Sequence, residues 1–280
     1  MVSQPVERSR RQDGGRFCRG ENMGFVKSKQ ELASYYALKV REFPQAEMMG
    51  LMFKADEGLA RALLPEPLEQ AETPGGLIFI AEYGETNLGP GYREAALFLR
   101  CNYLGQPGSY CLSMPIDSDP SRLHNGRDIY GFPKKAAHIA FKREGNRASG
   151  SVERNGIKFF ELDINLDGNI PEMPPTGPTY LFKAMPRVDL EPGFDGPVFL
   201  ASQMTEINTK SVEIGSTEFR FQPSDADPWI ELKDMTPVVG FYIVSSNRML
   251  PGKILAEVDG DRFLPHYFKM VDFFGGGKTS

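Results

Sequence analysis

The dipeptide Asn155-Gly156, within Glu153-Arg154-Asn155-Gly156-Ile157, sits between two strand-forming segments and commits this part of the chain to a β-hairpin. Asparagine and glycine accept the positive φ angles of the tight turns whose twist matches paired strands. The same texture fills most of the chain. Short apolar or alternating runs at 48–53, 76–83, 94–103, 109–116, 131–141, 149–165, 179–188, 198–203, 211–221 and 238–246 are separated by Gly, Pro, Asn and Asp clusters. About ten strands with few helices predict a mainly β fold, antiparallel and barrel-like or built of two packed sheets, with a few short peripheral helices.

Helix signals are sparse. Ser28 and Glu31 have capping-box spacing, Leu32, Tyr35, Tyr36 and Lys39 follow at helical intervals, and Pro44 marks the expected stop. A second short helix is expected over 56–64, capped by Asp56 and halted at Pro65-Glu66-Pro67, and a closing one over 263–274. Residues 1–24 carry arginines and glycines without a hydrophobic period and read as a disordered arm. With no repeat and no break in composition, 25–280 reads as a single domain.

Several function classes are disfavoured. Lys+Arg 32 against Asp+Glu 37 gives a net charge of -5, which lacks the footprint of a nucleic-acid binder. Cys18, Cys101 and Cys111 form no CxxC pair, and His124, His138 and His266 have no metal-site spacing. Gly275-Gly276-Gly277-Lys278-Thr279-Ser280 resembles the end of a phosphate loop, which needs a preceding strand and a following helix to cradle a phosphate, and the expectation is a flexible tail instead. No run approaches the ~18 apolar residues of a membrane span, and the first residues are polar where a secretory leader is apolar. The expectation is a cytoplasmic protein that binds neither membrane nor nucleic acid.

One lysine pair stands in an unusual place. In Ile129-Tyr130-Gly131-Phe132-Pro133-Lys134-Lys135 two cations follow a proline in an aromatic, apolar run, a poor setting for solvated charge. The longer segment from Asn125-Gly126-Arg127-Asp128 through Lys134-Lys135-Ala136-Ala137 resembles the active-site segment of the acetoacetate decarboxylase superfamily. Leu64-Pro65-Glu66-Pro67-Leu68 and Gly91-Tyr92-Arg93-Glu94 resemble two further family motifs. The resemblance covers roughly 48–165 and implies a barrel-like β fold, a homo-oligomer and no cofactor.

It also implies roles: Lys134 as the amine that forms a Schiff base with a keto acid, Lys135 as its cationic neighbour, and Glu94 as a catalytic carboxylate. The family exemplifies a lysine made nucleophilic by desolvation or a nearby cation. On a strand the two side chains point to opposite faces, with amines about 10 Å apart. At an effective dielectric of about 20 their repulsion is roughly 1.7 kcal/mol, about one pKa unit. Full burial lowers a lysine by about 3 to 5 units. Burial is therefore the expected activator of Lys134, with Lys135 a minor contributor.

Two departures from the family pattern stand out. The arginine that binds the substrate carboxylate has no aligned match in Phe43-Pro44-Gln45-Ala46-Glu47, Arg41 being out of register, and the family's second glutamate has only the displaced Glu82. The reading is a Schiff-base-forming lyase that decarboxylates a keto acid other than acetoacetate. The alternatives are an aldolase or dehydratase using the same imine, or a non-catalytic small-molecule-binding β-barrel.

Overall fold

The computed structural model describes residues 24–118, 120–174 and 177–272. The expected arm lies outside the described residues except for Gly24, as do the glycine-rich tail and the last two residues of the expected closing helix. The described residues up to Lys39 and those from Val40 onward form separate compact units.

The first unit carries α1 (Lys29–Ala37), held at its start by the expected capping box: Glu31 N donates to Ser28 Oγ at 3.2 Å, and Ser28 N to Glu31 Oε2 at 2.7 Å. The helix ends at Leu38, so Pro44 is not its stop. Pro44 instead lies inside β1 (Arg41–Lys54), where the pairing register slips between Phe43 and Ala46. A bulge tolerates the missing N–H.

The second unit continues with α2 (Glu57–Leu63), whose Asp56 cap accepts from Leu59 N at 2.9 Å, then the two-residue β2 (Glu69–Gln70). Next come β3 (Gly75–Tyr83), β4 (Tyr92–Tyr103) and β5 (Gln106–Asp117), each close to its expected run. The short α3 (Pro120–Leu123) passes into a π-helical turn at His124–Asp128. The run expected over 131–141 is shorter and divided into β6 (Lys134–Ala136) and β7 (His138–Glu144). Gly131 explains the late start: its φ is +92°, and a Cβ there would meet the Phe182 carbonyl oxygen at 2.4 Å. The backbone turns at Gly131 instead of extending.

The predicted hairpin is present as β8 (Arg147–Arg154) and β9 (Ile157–Asn169), with φ of 52° at Asn155 and 76° at Gly156. It is followed by β10 (Thr179–Lys183), β11 (Val198–Gln203), β12 (Thr205–Phe221) and β13 (Thr236–Met249). A strand with no sequence expectation, β14 (Lys253–Val258), precedes α4 (Gly260–Tyr267).

Among the described residues the fourteen strands join one sheet in the order β14-β11-β10-β5-β4-β3-β1-β13-β12-β9-β8-β7, with β2 beside β4 and β6 beside β5. Pairings are antiparallel except β10 with β5 and β5 with β6. The sheet is neither a closed barrel nor two separate sheets: its terminal strands β14 and β7 do not pair. Its far end folds back instead. Ile139, Val152, Phe160 and Leu162 of the β7–β9 meander join Met49, Ile80 and Leu97 in one core. Alternation along β3 divides two faces, Ile78 and Ile80 pointing to that core, Leu77 and Phe79 to a cavity on the other side. Among the described residues no helix is long and apolar enough to cross a membrane.

Candidate functional site

Lys134 opens β6 and pairs in register with Met114 of β5, its peptide N–H bonded to the Phe132 carbonyl at 2.7 Å. Its side chain is only 6% exposed and enters a cavity of about 670 Å³. There the ammonium nitrogen donates to Glu94 Oε2 at 2.7 Å. Glu94, also 6% exposed, sits near the start of β4, and Tyr83 donates its hydroxyl to the second carboxylate oxygen at 3.1 Å. Both expected catalytic groups therefore meet inside one enclosure, forty residues apart in sequence.

Aromatic rings surround the pair. The Lys134 nitrogen lies 6.0 Å from the Tyr92 ring centroid and 5.9 Å from that of Phe132, within cation–π range. Burial, and then the Glu94 carboxylate, push the Tyr83 and Tyr92 hydroxyls well above the usual phenol range. They remain protonated donors, which suits a site whose acceptor is a carboxylate.

Gly126 makes room for the lysine. A Cβ there would sit 2.2 Å from Lys134 Cε and 2.5 Å from Cδ. The atoms in its way belong to a side chain and not to backbone, so the amine, and not the fold, would yield. Gly126→Ala is expected to cut turnover about 100-fold, the loss typical of a misplacement near 1 Å, with an unchanged far-UV circular dichroism spectrum. Turnover within threefold of wild type would contradict this placement.

Lys135 points the other way, as alternation requires, and is also buried. It donates to the Ala226 carbonyl and pairs with Asp272 at 2.9 Å and Asp227 at 3.5 Å. Arg154 completes the cluster, reaching Asp227 at 2.6 Å and Asp272 at 2.7 Å, and its Nε donates to the Ala136 carbonyl of β6 at 2.7 Å. Two cations face two carboxylates, so the field of Lys135 at Lys134 is largely cancelled, and the cluster anchors the strand that carries Lys134.

Arg154, and then Lys135, hold the Asp272 carboxyl well below the usual carboxylate range. A depressed folded-state pKa contributes stability above the unfolded value, about 3.9, that is lost as pH falls below it. Asp272→Asn is thus expected to lower the urea midpoint at pH 7 and to narrow the gap from wild type as pH drops from about 5 toward 3. A gap independent of pH would show that the carboxylate charge is not what stabilises.

Several groups that sequence reasoning did not place also line the cavity. Arg122 is 5% exposed, donates to Thr86 Oγ1 at 3.0 Å and the Pro90 carbonyl at 2.6 Å, and stacks 5.0 Å from the Tyr92 centroid. Arg41, set aside on register, lines the same cavity. Tyr92 was legible, since it shares a strand face with Glu94 two residues on. Arg122 carried no such signal, because its position depends on the path of α3. Glu82 lies on the opposite face of β3 and bonds Arg93 Nε at 2.8 Å, so it does not join the site.

Among the described residues, burial pushes the Cys101 and Cys111 thiols up to about 12, so neither is poised as a thiolate nucleophile. Among the described residues no group of three or more His, Cys, Asp or Glu could hold a metal ion.

Comparison with known proteins bears on the family and the fold. A family model described as acetoacetate decarboxylase (ADC) matches residues 23–258. An acetoacetate decarboxylase from Burkholderia cenocepacia is 31% identical over 156 residues, 52% of this chain and 61% of the relative, so the match spans under two thirds of that relative's length. Acetoacetate decarboxylase from Legionella pneumophila superposes with a TM-score of 0.68 at 22% identity, covering 78% of this chain and 87% of that one. The enduracididine biosynthesis enzyme MppR, complexed with the condensation product of pyruvate and imidazole 4-carboxaldehyde, superposes at 0.65 and 16% identity, covering 78% and 89%. At these identities the two structures establish a shared fold.

Proposed function

The chain belongs to the acetoacetate decarboxylase family, and we propose that it is a lyase that decarboxylates a β-keto acid through a Schiff base on Lys134. The observation that carries this reading is the buried Lys134–Glu94 pair, 2.7 Å apart at the wall of a cavity. Glu94 is placed to accept the ammonium proton, freeing the lone pair that attacks the keto carbon. Loss of water then gives a protonated imine. The bond between the carboxylate and the adjacent carbon breaks, carbon dioxide leaves, and the electron pair moves to nitrogen as an enamine. A proton returns to that carbon, and water hydrolyses the resulting imine to release a ketone and restore Lys134.

Arg122 is the proposed partner of the substrate carboxylate. Its guanidinium stacks on the Tyr92 ring, which also neighbours the Lys134 nitrogen, and among the described residues two of its five N–H donors go to Thr86 and Pro90. Stacked guanidinium is well suited to a carboxylate. Lys135 acts as a positioning residue through the Asp227–Asp272–Arg154 cluster. Family membership also supports a homo-oligomer working in the cytoplasm, which light scattering and fractionation test.

Borohydride added with a keto acid should reduce the imine and leave a mass adduct on the peptide containing Lys134, with carbon dioxide released in its absence. Adduct formation without carbon dioxide, together with condensation onto an added aldehyde, would favour the aldolase reading instead. Absence of any adduct with any carbonyl compound would leave a binding protein.

A further inference from the structure

The cavity face has a direction along the strands. On β4 it carries Tyr92, Glu94, Ala96 and Phe98, and the paired positions of β3 and β1 form successive rungs. The rung of Glu94 holds Ala81 and Met48; the next holds Ala96, Phe79 and Gly50; the next Phe98, Leu77 and Met52. Over the two rungs beyond Glu94 the side chains on these three strands are apolar, and Arg100 and Lys54 follow only at the far end of β4 and β1. In the opposite direction lies Tyr92 with Arg122 stacked on it. The Lys134 amine thus stands between a charged end and an apolar chamber.

Volume fits the same division. At about 30 Å³ per non-hydrogen atom, the share of a liquid water molecule, the seven atoms of acetoacetate take about 210 Å³. The cavity holds about 670 Å³, within the range of sites for much larger ligands. The four residues from Glu94 to Phe98 advance about 13 Å along the strand, the reach of roughly ten single bonds in zigzag.

We propose that the substrate is a β-keto acid with a long apolar tail, its carboxylate toward Arg122, its keto carbon at Lys134, and its tail along Phe79, Leu77 and Phe98. This assignment rests on the imine reading above and deepens it. A β-keto acid suits such a layout because its carboxylate and its tail leave the keto carbon on opposite sides. Methyl-terminated acetoacetate would leave the apolar chamber filled with water.

The test compares 3-oxodecanoate with acetoacetate on the intact protein, reading carbon dioxide above the uncatalysed rate. Each buried methylene is worth roughly fourfold, and six partly buried ones are expected to raise kcat/KM at least 100-fold. Leu77→Trp, which shortens the chamber, should reduce the ratio of the two values at least tenfold. A measurement independent of the variant's folding uses the products: nonan-2-one should compete at least 100-fold more strongly than acetone for borohydride trapping on wild-type Lys134. Equal or weaker use of the long acid and ketone, with adducts on Lys134 from both chain lengths, overturns the tail assignment alone. No adduct on Lys134 from either chain length overturns the imine reading beneath it.

Discussion

Lys134→Arg is expected to yield no borohydride adduct and no carbon dioxide above the uncatalysed rate, a loss on the order of 10⁴ to 10⁶, as when an enzyme loses its nucleophile. Arginine is the informative replacement. Alanine would leave the buried Glu94 carboxylate without its counter-charge, and breaking a buried pair costs about 3–5 kcal/mol, mixing instability with lost chemistry. A guanidinium keeps the positive charge beside Glu94 but has no lone pair to attack a carbonyl and stays protonated in proteins.

The measurement must also separate a rival amine. Burial pushes Lys269 down to about 7, and its nitrogen contacts the Tyr110 hydroxyl and lies 4.0 Å from that ring centroid. It does not line the cavity. Peptide mapping of the wild-type adduct should therefore find Lys134 modified and Lys269 free. An adduct that persists in Lys134→Arg at the wild-type rate would refute the assignment of the nucleophile.

Glu94→Gln is expected to lower kcat by about 10² to 10⁴, the usual worth of a positioned acid–base group. The amide oxygen still accepts from Tyr83 or Lys134, so the site keeps its shape, but glutamine cannot take up the proton that the amine must lose. Slow adduct formation should survive, because Lys134 is still present. A kcat within threefold of wild type would reduce Glu94 to a counter-ion.

Much of the architecture was legible because strand signals are local. The Asn155-Gly156 turn, the Ser28–Glu31 capping box and the alternation in β3 and β4 each depend on residues a few positions apart. The misreadings share one cause. Pro44 reads locally as a stop, but its outcome was set by β13, across which β1 slips register. The segment 129–133 has strand-like composition, but the Phe182 carbonyl packed against Gly131 forces a turn. Closure of the sheet depends on whether β14 meets β7, residues more than a hundred positions apart.

The site divides in the same way. The sequence by itself determined the lysine pair, its inequivalence through strand alternation, and the candidacy of Glu94 by motif. Only the tertiary structure decided that Lys135 is neutralised by Asp227 and Asp272, that Arg122 and Arg41 line the cavity, and that apolar rungs extend beyond Glu94. The reason is physical: side-chain direction along a strand has a period of two and can be read from neighbours. Charge compensation and cavity shape depend on which distant strands pair, and in what register.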